Sequence, residues 1–160
     1  MFLLTRLTAF MFLLVSTSLW AAGPLAIELK SEKITTVVLQ GRSEERRDAA
    51  KAIKPADIIE YRANYKNTSA KELRGVQAVL PVPSGMTIDL NSAKPLPVQA
   101  STDGRLFYPV PLTRQVRAAD GQLKTVNVPL SEYRALRWSL GALAAGASRE
   151  VVLRARVNAN

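Results

Sequence analysis

Prolines limit the secondary structure that the middle of the chain can form. Six of the nine prolines lie between residues 81 and 111. A proline inside a helix removes a backbone hydrogen bond and costs about 3 kcal/mol, so no long helix crosses this region. Ser84-Gly85 and Asp103-Gly104 lie among these prolines, and both dipeptides are typical of turns. The middle of the chain is therefore predicted to consist of short strands joined by turns.

Alternation of apolar and polar residues predicts strands on both sides of this region. A period of two places every second side chain on the same face, which is the pattern of a half-buried strand. In residues 57–67 the apolar face consists of Ile59, Tyr61, Ala63 and Tyr65. In residues 149–157 it consists of Val151, Leu153, Ala155 and Val157. Residues 25–40 alternate and then continue in a β-branched run, which predicts the first strand.

Two segments are harder to assign. Residues 131–146 fit a helical stripe, but Gly141 and Gly146 would each weaken a helix by about 1 kcal/mol. A strand over residues 136–140 with Trp138 facing inward is favoured, followed by a turn over residues 141–148. Residues 41–54 are densely charged, which predicts a solvated loop, with a short helix over residues 44–52 as the alternative. About seven strands joined by turns favour an all-β fold, an antiparallel β-sandwich.

The chain of 160 residues contains no His and no Cys, and this absence excludes several kinds of chemistry. Without His there is no Ser-His-Asp or Cys-His catalysis and no imidazole ligand for a metal. Without Cys there is no disulfide, thiolate zinc site or iron–sulfur cluster. The Asp and Glu residues show no spacing that indicates a catalytic pair. We therefore expect a protein that is not an enzyme and that uses no cofactor or metal.

The first 22 residues have the layout of a secretory signal peptide. Arg6 is followed by an apolar run and then by small residues, and the run is short for a membrane span, which needs about 20 residues. Cleavage is expected near Ala22, which leaves residues 23–160 as a single domain without a transmembrane span; an uncleaved N-terminal anchor is the alternative. The predicted location is the periplasm, the medium or the cell surface. A secreted chain without Cys favours a bacterial envelope.

Several short motifs follow one another in order along residues 30–158. They are Lys54-Pro55-Ala56-Asp57-Ile58-Ile59-Glu60-Tyr61, Tyr65-Lys66-Asn67-Thr68, Pro83-Ser84-Gly85-Met86-Thr87, Ser92, Ser101-Thr102-Asp103-Gly104, Leu136-Arg137-Trp138-Ser139-Leu140-Gly141-Ala142-Leu143, Ala145-Gly146-Ala147-Ser148, and residues 152–157. In this order they resemble the conserved-repeat domain of bacterial surface and exported proteins, known mainly as a domain of unknown function. The resemblance implies an immunoglobulin-like β-sandwich. Ala56 and Leu80 depart from the pattern of the family, which prefers Gly at the first position and often has Asp at the second.

Seven residues are predicted to have structural roles. They are Pro55, Asp57, Tyr61, Asn67, Gly85, Trp138 and Gly146. Asp57 can accept backbone N–H bonds beside the bend at Pro55, and Asn67 can close the turn after its strand. Gly85 is expected to have a positive φ. The two aromatic residues are large enough to bridge two sheets, although side chains of this type also bind sugars or partners.

Basic residues give a formal charge of +9, and most of the basic residues in the C-terminal half are arginines. Arg137, Arg154 and Arg156 fall on the outward faces of their predicted strands and would form one cationic patch if those strands were neighbours. Such a patch could bind an anionic glycan, lipid headgroups or an acidic protein; a basic surface that only aids solubility is the alternative. Nucleic acid is not expected as a partner, because the chain is predicted to be exported and lacks a run of exposed aromatic residues.

Two binding functions remain open at this point, beside a third alternative, a hydrolase that uses carboxylates, for which the sequence indicates no particular Asp or Glu. The first is a non-enzymatic exported module that binds an envelope protein or the cell surface, with its exposed sheet edges as the natural binding element. The second is a cationic binder of an anionic envelope polymer, such as a glycan or lipid headgroups, through an arginine-rich sheet face.

Overall fold

The structure, a computed structural model, describes residues 23–159, and the predicted signal peptide of residues 1–22 lies outside the described residues. The described residues form eleven strands, one 3₁₀ turn and no α-helix. The strands are β1 (Leu25–Leu39), β2 (Arg42–Ala49), β3 (Ile58–Asn67), β4 (Leu73–Pro81), β5 (Met86–Lys94), β6 (Gln99–Ser101), β7 (Tyr108–Pro109), β8 (Thr113–Arg117), β9 (Leu123–Asn127), β10 (Ala135–Leu143) and β11 (Ser148–Val157), and the 3₁₀ turn is Leu130–Glu132.

These strands form two large sheets and one small one. The five-stranded sheet has the order β2-β1-β3-β11-β5, the four-stranded sheet has the order β4-β10-β6-β7, and β8 pairs with β9. Because β3 contacts β4 and β11 contacts β10, the two large sheets lie face to face. The predicted all-β fold with antiparallel sheets is confirmed, since every pairing in these sheets is antiparallel. Within the stretch that also fitted a helix, residues 135–143 form the strand β10, so the predicted turn over residues 141–148 is too long: the strand continues to Leu143 and β11 begins at Ser148.

One hydrophobic core fills the space between the two large sheets. Alternation along β3, β10 and β11 directs every second side chain into it, and the buried residues include Ala63, Tyr65, Ala78, Leu80, Ile88, Ala100, Leu136, Trp138, Val151, Leu153 and Ala155. Trp138 is fully buried, and Tyr61 packs partly buried against the same core, where its hydroxyl donates to the sulfur of Met86 at 3.1 Å. Because the chain contains no Cys, the burial of this apolar surface is the main interaction that holds the sheets together.

Most of the charged segment after β1 is a strand, so the predicted loop or short helix is wrong for residues 42–49, whereas residues 50–54 lie outside the strands. Leu39 pairs with Arg42, and the two residues between them have φ values of 49° at Gln40 and 79° at Gly41. Two positive φ values in a two-residue loop are typical of a type I′ hairpin turn, whose twist matches that of the flanking strands. β2 is nearly all exposed, so its charges lie in water, as the sequence indicated, although its backbone pairs with β1.

Asn67 connects the two large sheets at one end of the molecule. It ends β3 and is fully buried, and its side-chain amide donates to the carbonyl oxygens of Leu143 at 2.9 Å and Ala144 at 3.1 Å, at the end of β10. Its side-chain oxygen accepts hydrogen bonds from Ser69. The backbone N–H of Gly146, whose φ is 74°, donates to the carbonyl of Asn67 at 3.1 Å. Asn67 therefore orders both connections between the sheets at this end.

Two further turns contain the predicted Pro55, Asp57 and Gly85. The N–H of Asp57 donates to the carbonyl of Lys54 at 3.1 Å, and the Asp57 carboxylate accepts from the N–H of Lys54 at 2.9 Å. Pro55 occupies the second position of this turn, and Ala56, in the third position, has a φ of 68°. A proline followed by a residue with positive φ is the pattern of a type II turn, where Gly is preferred. Gly85 has a φ of 76° in the turn of residues 83–86.

We predict that Ala56→Gly stabilises the protein by about 0.5–1 kcal/mol. The left-handed conformation costs an alanine about 1–2 kcal/mol, and the gain exceeds the added freedom of glycine in the unfolded chain. Urea unfolding followed by circular dichroism measures the change. Ala26→Gly, at an exposed position inside β1, is the matched control and should destabilise by about 0.5–1 kcal/mol. Equal destabilisation by both substitutions would contradict the assignment of the turn.

Candidate functional site

On one side of the sandwich, the five-stranded sheet extends further than the four-stranded sheet. β4 is the edge of the four-stranded sheet and packs opposite β3, where the Tyr65 hydroxyl donates to the carbonyl of Val79 at 3.4 Å. In the five-stranded sheet β1 lies one strand beyond β3. Adjacent strands are about 4.8 Å apart, so the inner face of β1 extends past the edge of the sheet that should cover it.

Two apolar side chains of β1 point inward and are nevertheless exposed. Ile27 lies opposite Tyr65 and Leu29 lies opposite Ala63 in the ladder with β3, and paired residues share a face. Tyr65 and Ala63 belong to the core, whereas Ile27 is 59% exposed and Leu29 is 57% exposed. The inner face of β1 is therefore apolar at a position where no other strand of residues 23–159 covers it.

Both stacked strands on this side have an unpaired edge within the part of the chain that the structure describes. β2 pairs with β1 only from Glu32 onward, so residues 25–31 of β1 pair with β3 alone. β4 pairs with β10 alone, and it carries no charged residue between Arg74 and Pro81. Soluble proteins usually protect such edges with charges, bulges or prolines. The pairing of β4 with β10 is irregular between Leu73 and Gln77, and β4 ends at Pro81, so residues 77–80 are the regular, unprotected part of this edge. We call residues 25–31 of β1 together with the edge of β4 the open side.

The outer face of the five-stranded sheet carries a buried carboxylate among arginines. Glu60 of β3 is only 2% exposed. It accepts a hydrogen bond from Nε of Arg154 at 2.7 Å and another from Nε of Arg62 at 2.8 Å. Arg47 of β2 adds a third at 3.3 Å. Burial alone raises the pKa of Glu60, but these hydrogen bonds outweigh it and hold the pKa below its ordinary value.

The three arginines of the predicted cationic patch do not lie together. β10 and β11 belong to different sheets, which separates Arg137 from Arg154 and Arg156. Arg137 donates two hydrogen bonds to Gln99 and lies 4.4 Å from the centre of the Phe107 ring.

The charge of Arg154 is matched by carboxylates on its own face. Its two terminal nitrogens donate to both carboxylate oxygens of Glu45 at 2.7 Å, and these hydrogen bonds raise the pKa of Arg154 and lower that of Glu45. Arg156 is exposed on the same sheet face, opposite Ile58 and Thr87.

An open groove of about 720 Å³ lies beside the Glu60 cluster, between β3, β11 and the end of β5. Its lining includes acidic residues, Asp89 and Glu150, as well as the basic Lys94. The groove therefore has no dominant charge.

The sequence places Glu60 on an outward face, which is correct, but gives no sign of its burial. That burial depends on Arg47 and Arg62, and Arg47 comes from a strand that the sequence did not indicate.

No group of three acidic side chains among residues 23–159 is close enough to hold a metal ion. Within the same range, no helix has the length and apolar character needed to cross a bilayer. Comparisons with protein-family models, with curated proteins and with solved structures find no match to the chain.

We predict that Glu60→Gln destabilises the protein by about 2 kcal/mol at pH 7, because three arginines lose a charged acceptor. This loss of stability should be smaller in acid. The pKa of Glu60 is lower in the folded protein than in the unfolded chain, so its stabilisation is present above the unfolded value of about 4.3 and disappears as pH falls through the folded value. Urea unfolding at pH 7 and pH 3 tests this.

The control for this prediction is Glu72→Gln. Glu72 pairs with the exposed Arg74 at 2.7 Å, and exposed ion pairs contribute little, so the change should stay within about 0.5 kcal/mol at both pH values. A Glu60→Gln effect that matches the control would show that the cluster does not stabilise the fold, and an effect that grows in acid would contradict the lowered pKa of Glu60.

Proposed function

We propose that this protein is a non-enzymatic, exported envelope module that binds an extended segment of a partner protein at its open side. The observation that carries the proposal is the exposure of Ile27 and Leu29, which point inward beside the unpaired edge of β4. In strand addition, backbone hydrogen bonds to a sheet edge supply affinity, and alternate side chains of the added strand supply specificity.

An added strand on β4 would complete the four-stranded sheet at the position that faces β1. Its inward side chains would cover Ile27 and Leu29, whose full burial contributes about 1.5–3 kcal/mol each relative to full exposure. Since both side chains are already partly covered, about half of this free energy of burial remains available for binding. The partner segment should therefore alternate apolar and polar residues, with the apolar ones facing β1.

A second copy of β4 is a poor occupant of this position. Pairing two β4 strands around a two-fold axis normal to the sheet would place the partner's β3 beneath its own β4 and the partner's β1 beneath the β4 of the first copy. Those two positions are already filled by β1 and β3 of the first copy, since β1 extends one strand beyond β4. A lone extended segment meets no such obstacle, which supports a partner of that kind.

The remaining parts of the proposal rest on the sequence. The layout of residues 1–22 supports export to the periplasm, the medium or the cell surface. The kinship with the conserved-repeat domain stays a prediction. The last strand, β11, pairs with β3 and β5 and so lies in the same sheet as the first strand, β1. In an immunoglobulin constant domain the last strand lies with strands C and F, in the sheet that does not contain the first strand. We therefore propose an immunoglobulin-like architecture with a different strand order.

An arginine-rich face that binds an anionic polymer is the weaker candidate. Arg137 lies on the other sheet, and the charge of Arg154 is matched by Glu45 and Glu60. Among the three arginines this leaves Arg156 as the most accessible cation on its face.

We predict that Leu29→Lys abolishes the capture of an envelope protein by this chain, because the substitution places a charge where the added strand must bury apolar side chains. Proteins retained from envelope material by the wild type and the variant are compared by mass spectrometry. For a partner lost by the variant, hydrogen exchange in the purified complex should show new protection of the backbone amides of β4. Because Leu29 is already exposed, circular dichroism should show an unchanged fold.

Val38→Lys is the matched control, since Val38 is an exposed apolar residue of the same strand outside the open side. It should retain the partner. Equal loss of the partner in both variants, or protection that appears only outside β4, would contradict binding at the open side.

Export makes a separate prediction. Protein recovered from the envelope or medium should begin at or next to Gly23, because the signal peptide is removed near Ala22. N-terminal sequencing, or the intact mass of the recovered protein, identifies the first residue of the chain. A chain that keeps Met1–Ala22 and stays in the cytoplasm would overturn the export proposal while leaving the binding experiment unaffected.

A further inference from the structure

A cleft of about 440 Å³ lies beside β7 and the base of the β8–β9 hairpin, away from both strands of the open side. Leu112 and Val128 form part of its apolar lining, and Pro109 and Pro111 add two rigid rings. Both Leu112 and Val128 are buried, so they belong to the core as well as to the floor of the cleft. A volume of this size lies within the range of about 300–1,000 Å³ that small-molecule sites occupy.

The floor of this cleft is fixed before any ligand arrives. The backbone N–H of Leu112 donates to the hydroxyl of the buried Tyr133 at 2.8 Å. The backbone N–H of Val128 donates to the carbonyl of Leu112, also at 2.8 Å. A floor held in this way loses little conformational entropy when a ligand binds, which favours affinity.

An exposed aromatic ring forms one wall of the cleft. Tyr108 is 56% exposed, in contrast to the buried Tyr133 and Tyr65. An aromatic ring in this position offers an apolar face with a polar hydroxyl at its rim. Such a face suits a ligand that has both C–H groups and hydroxyls.

An ion pair provides hydrogen-bonding groups at the same cleft. Arg114 donates to the Glu132 carboxylate at 2.7 Å, and both side chains are exposed to solvent over a large part of their surface. An exposed pair of this kind contributes little to folding. Its two planar groups carry hydrogen-bond donors and acceptors, and Thr102 and Thr113, which line the same cleft, each carry a hydroxyl.

We propose that this cleft binds a neutral saccharide, with one pyranose ring against Tyr108 and its hydroxyls bonded to Arg114 and Glu132. The opposite charges of the pair cancel, which disfavours a strongly charged ligand. The polar groups disfavour a purely apolar ligand, which would leave them unsolvated. The site is independent of the open side, so neither proposal depends on the other.

The experiment is a titration of the ¹⁵N-labelled protein with cellotriose, maltotriose and chitotriose, each up to about 10 mM, a range that detects millimolar affinity. At least one of these probes should cause saturable shifts that are confined to Thr102, residues 108–114 and residues 128–132. Tyr108→Ala should weaken that binding about tenfold or more, whereas Tyr108→Phe keeps the ring and should bind nearly as well as the wild type. Glu132→Gln should weaken it several-fold.

Leu123→Ala is the control, because Leu123 is exposed on β9 outside the lining of the cleft, and it should leave binding unchanged. A dispersed amide spectrum establishes that each variant is folded. Because Tyr108 and Glu132 are both accessible to solvent, either variant tests the site if the other fails to fold. The proposal is overturned if no probe gives saturable shifts, if the shifts lie elsewhere, or if Tyr108→Ala binds as tightly as the wild type. The proposal would also be overturned if a proline-rich peptide binds in the cleft and none of the saccharides does.

Discussion

The packing of a five-stranded sheet on a four-stranded sheet around one apolar core is the interaction on which the rest of the structure depends. No disulfide assists it, because the chain contains no Cys. Trp138 fills the core, and Asn67 joins the ends of β3 and β10 through hydrogen bonds. The two sheets differ in width, so the same packing that buries Ala63 and Tyr65 leaves Ile27 and Leu29 beyond the edge of β4. The candidate binding surface is a direct consequence of how the core is built.

The charge distribution follows from strand order more than from composition. The chain carries a formal charge of +9, which suggests a broad cationic surface. The five-stranded sheet instead brings Glu45 and Glu60 next to Arg154, and Glu60 is buried beneath the side chains that neutralise it. A buried carboxylate that is satisfied in this way contributes to stability only while it stays ionised, so the outer face links the fold to pH.

The strands with clear alternation could be predicted from the sequence, and the features that depend on distant pairing could not. Residues 57–67 and 149–157 were correctly expected as strands because the two faces of each differ in polarity along a short window. β2 was missed because its dense charges resemble a solvated loop, and the only local signal was the Gly41 that follows Gln40. The exposure of Leu29 and the burial of Glu60 cannot be inferred from a local pattern, because each depends on which strands lie beside and opposite β1 and β3.

The two proposed binding surfaces use different physical properties of one scaffold. The open side offers backbone groups and apolar side chains to a polypeptide, and the cleft beside Tyr108 offers a ring and an ion pair to a sugar. The most direct test of the central claim is the relaxation of side-chain methyl groups by a soluble, neutral paramagnetic agent. The methyl groups of Ile27 and Leu29 should relax as strongly as those of surface residues, whereas those of Ile59 and Leu153 should be protected. Protection of Ile27 and Leu29 equal to that of the core would show that the sheets cover each other fully and that the open side does not exist.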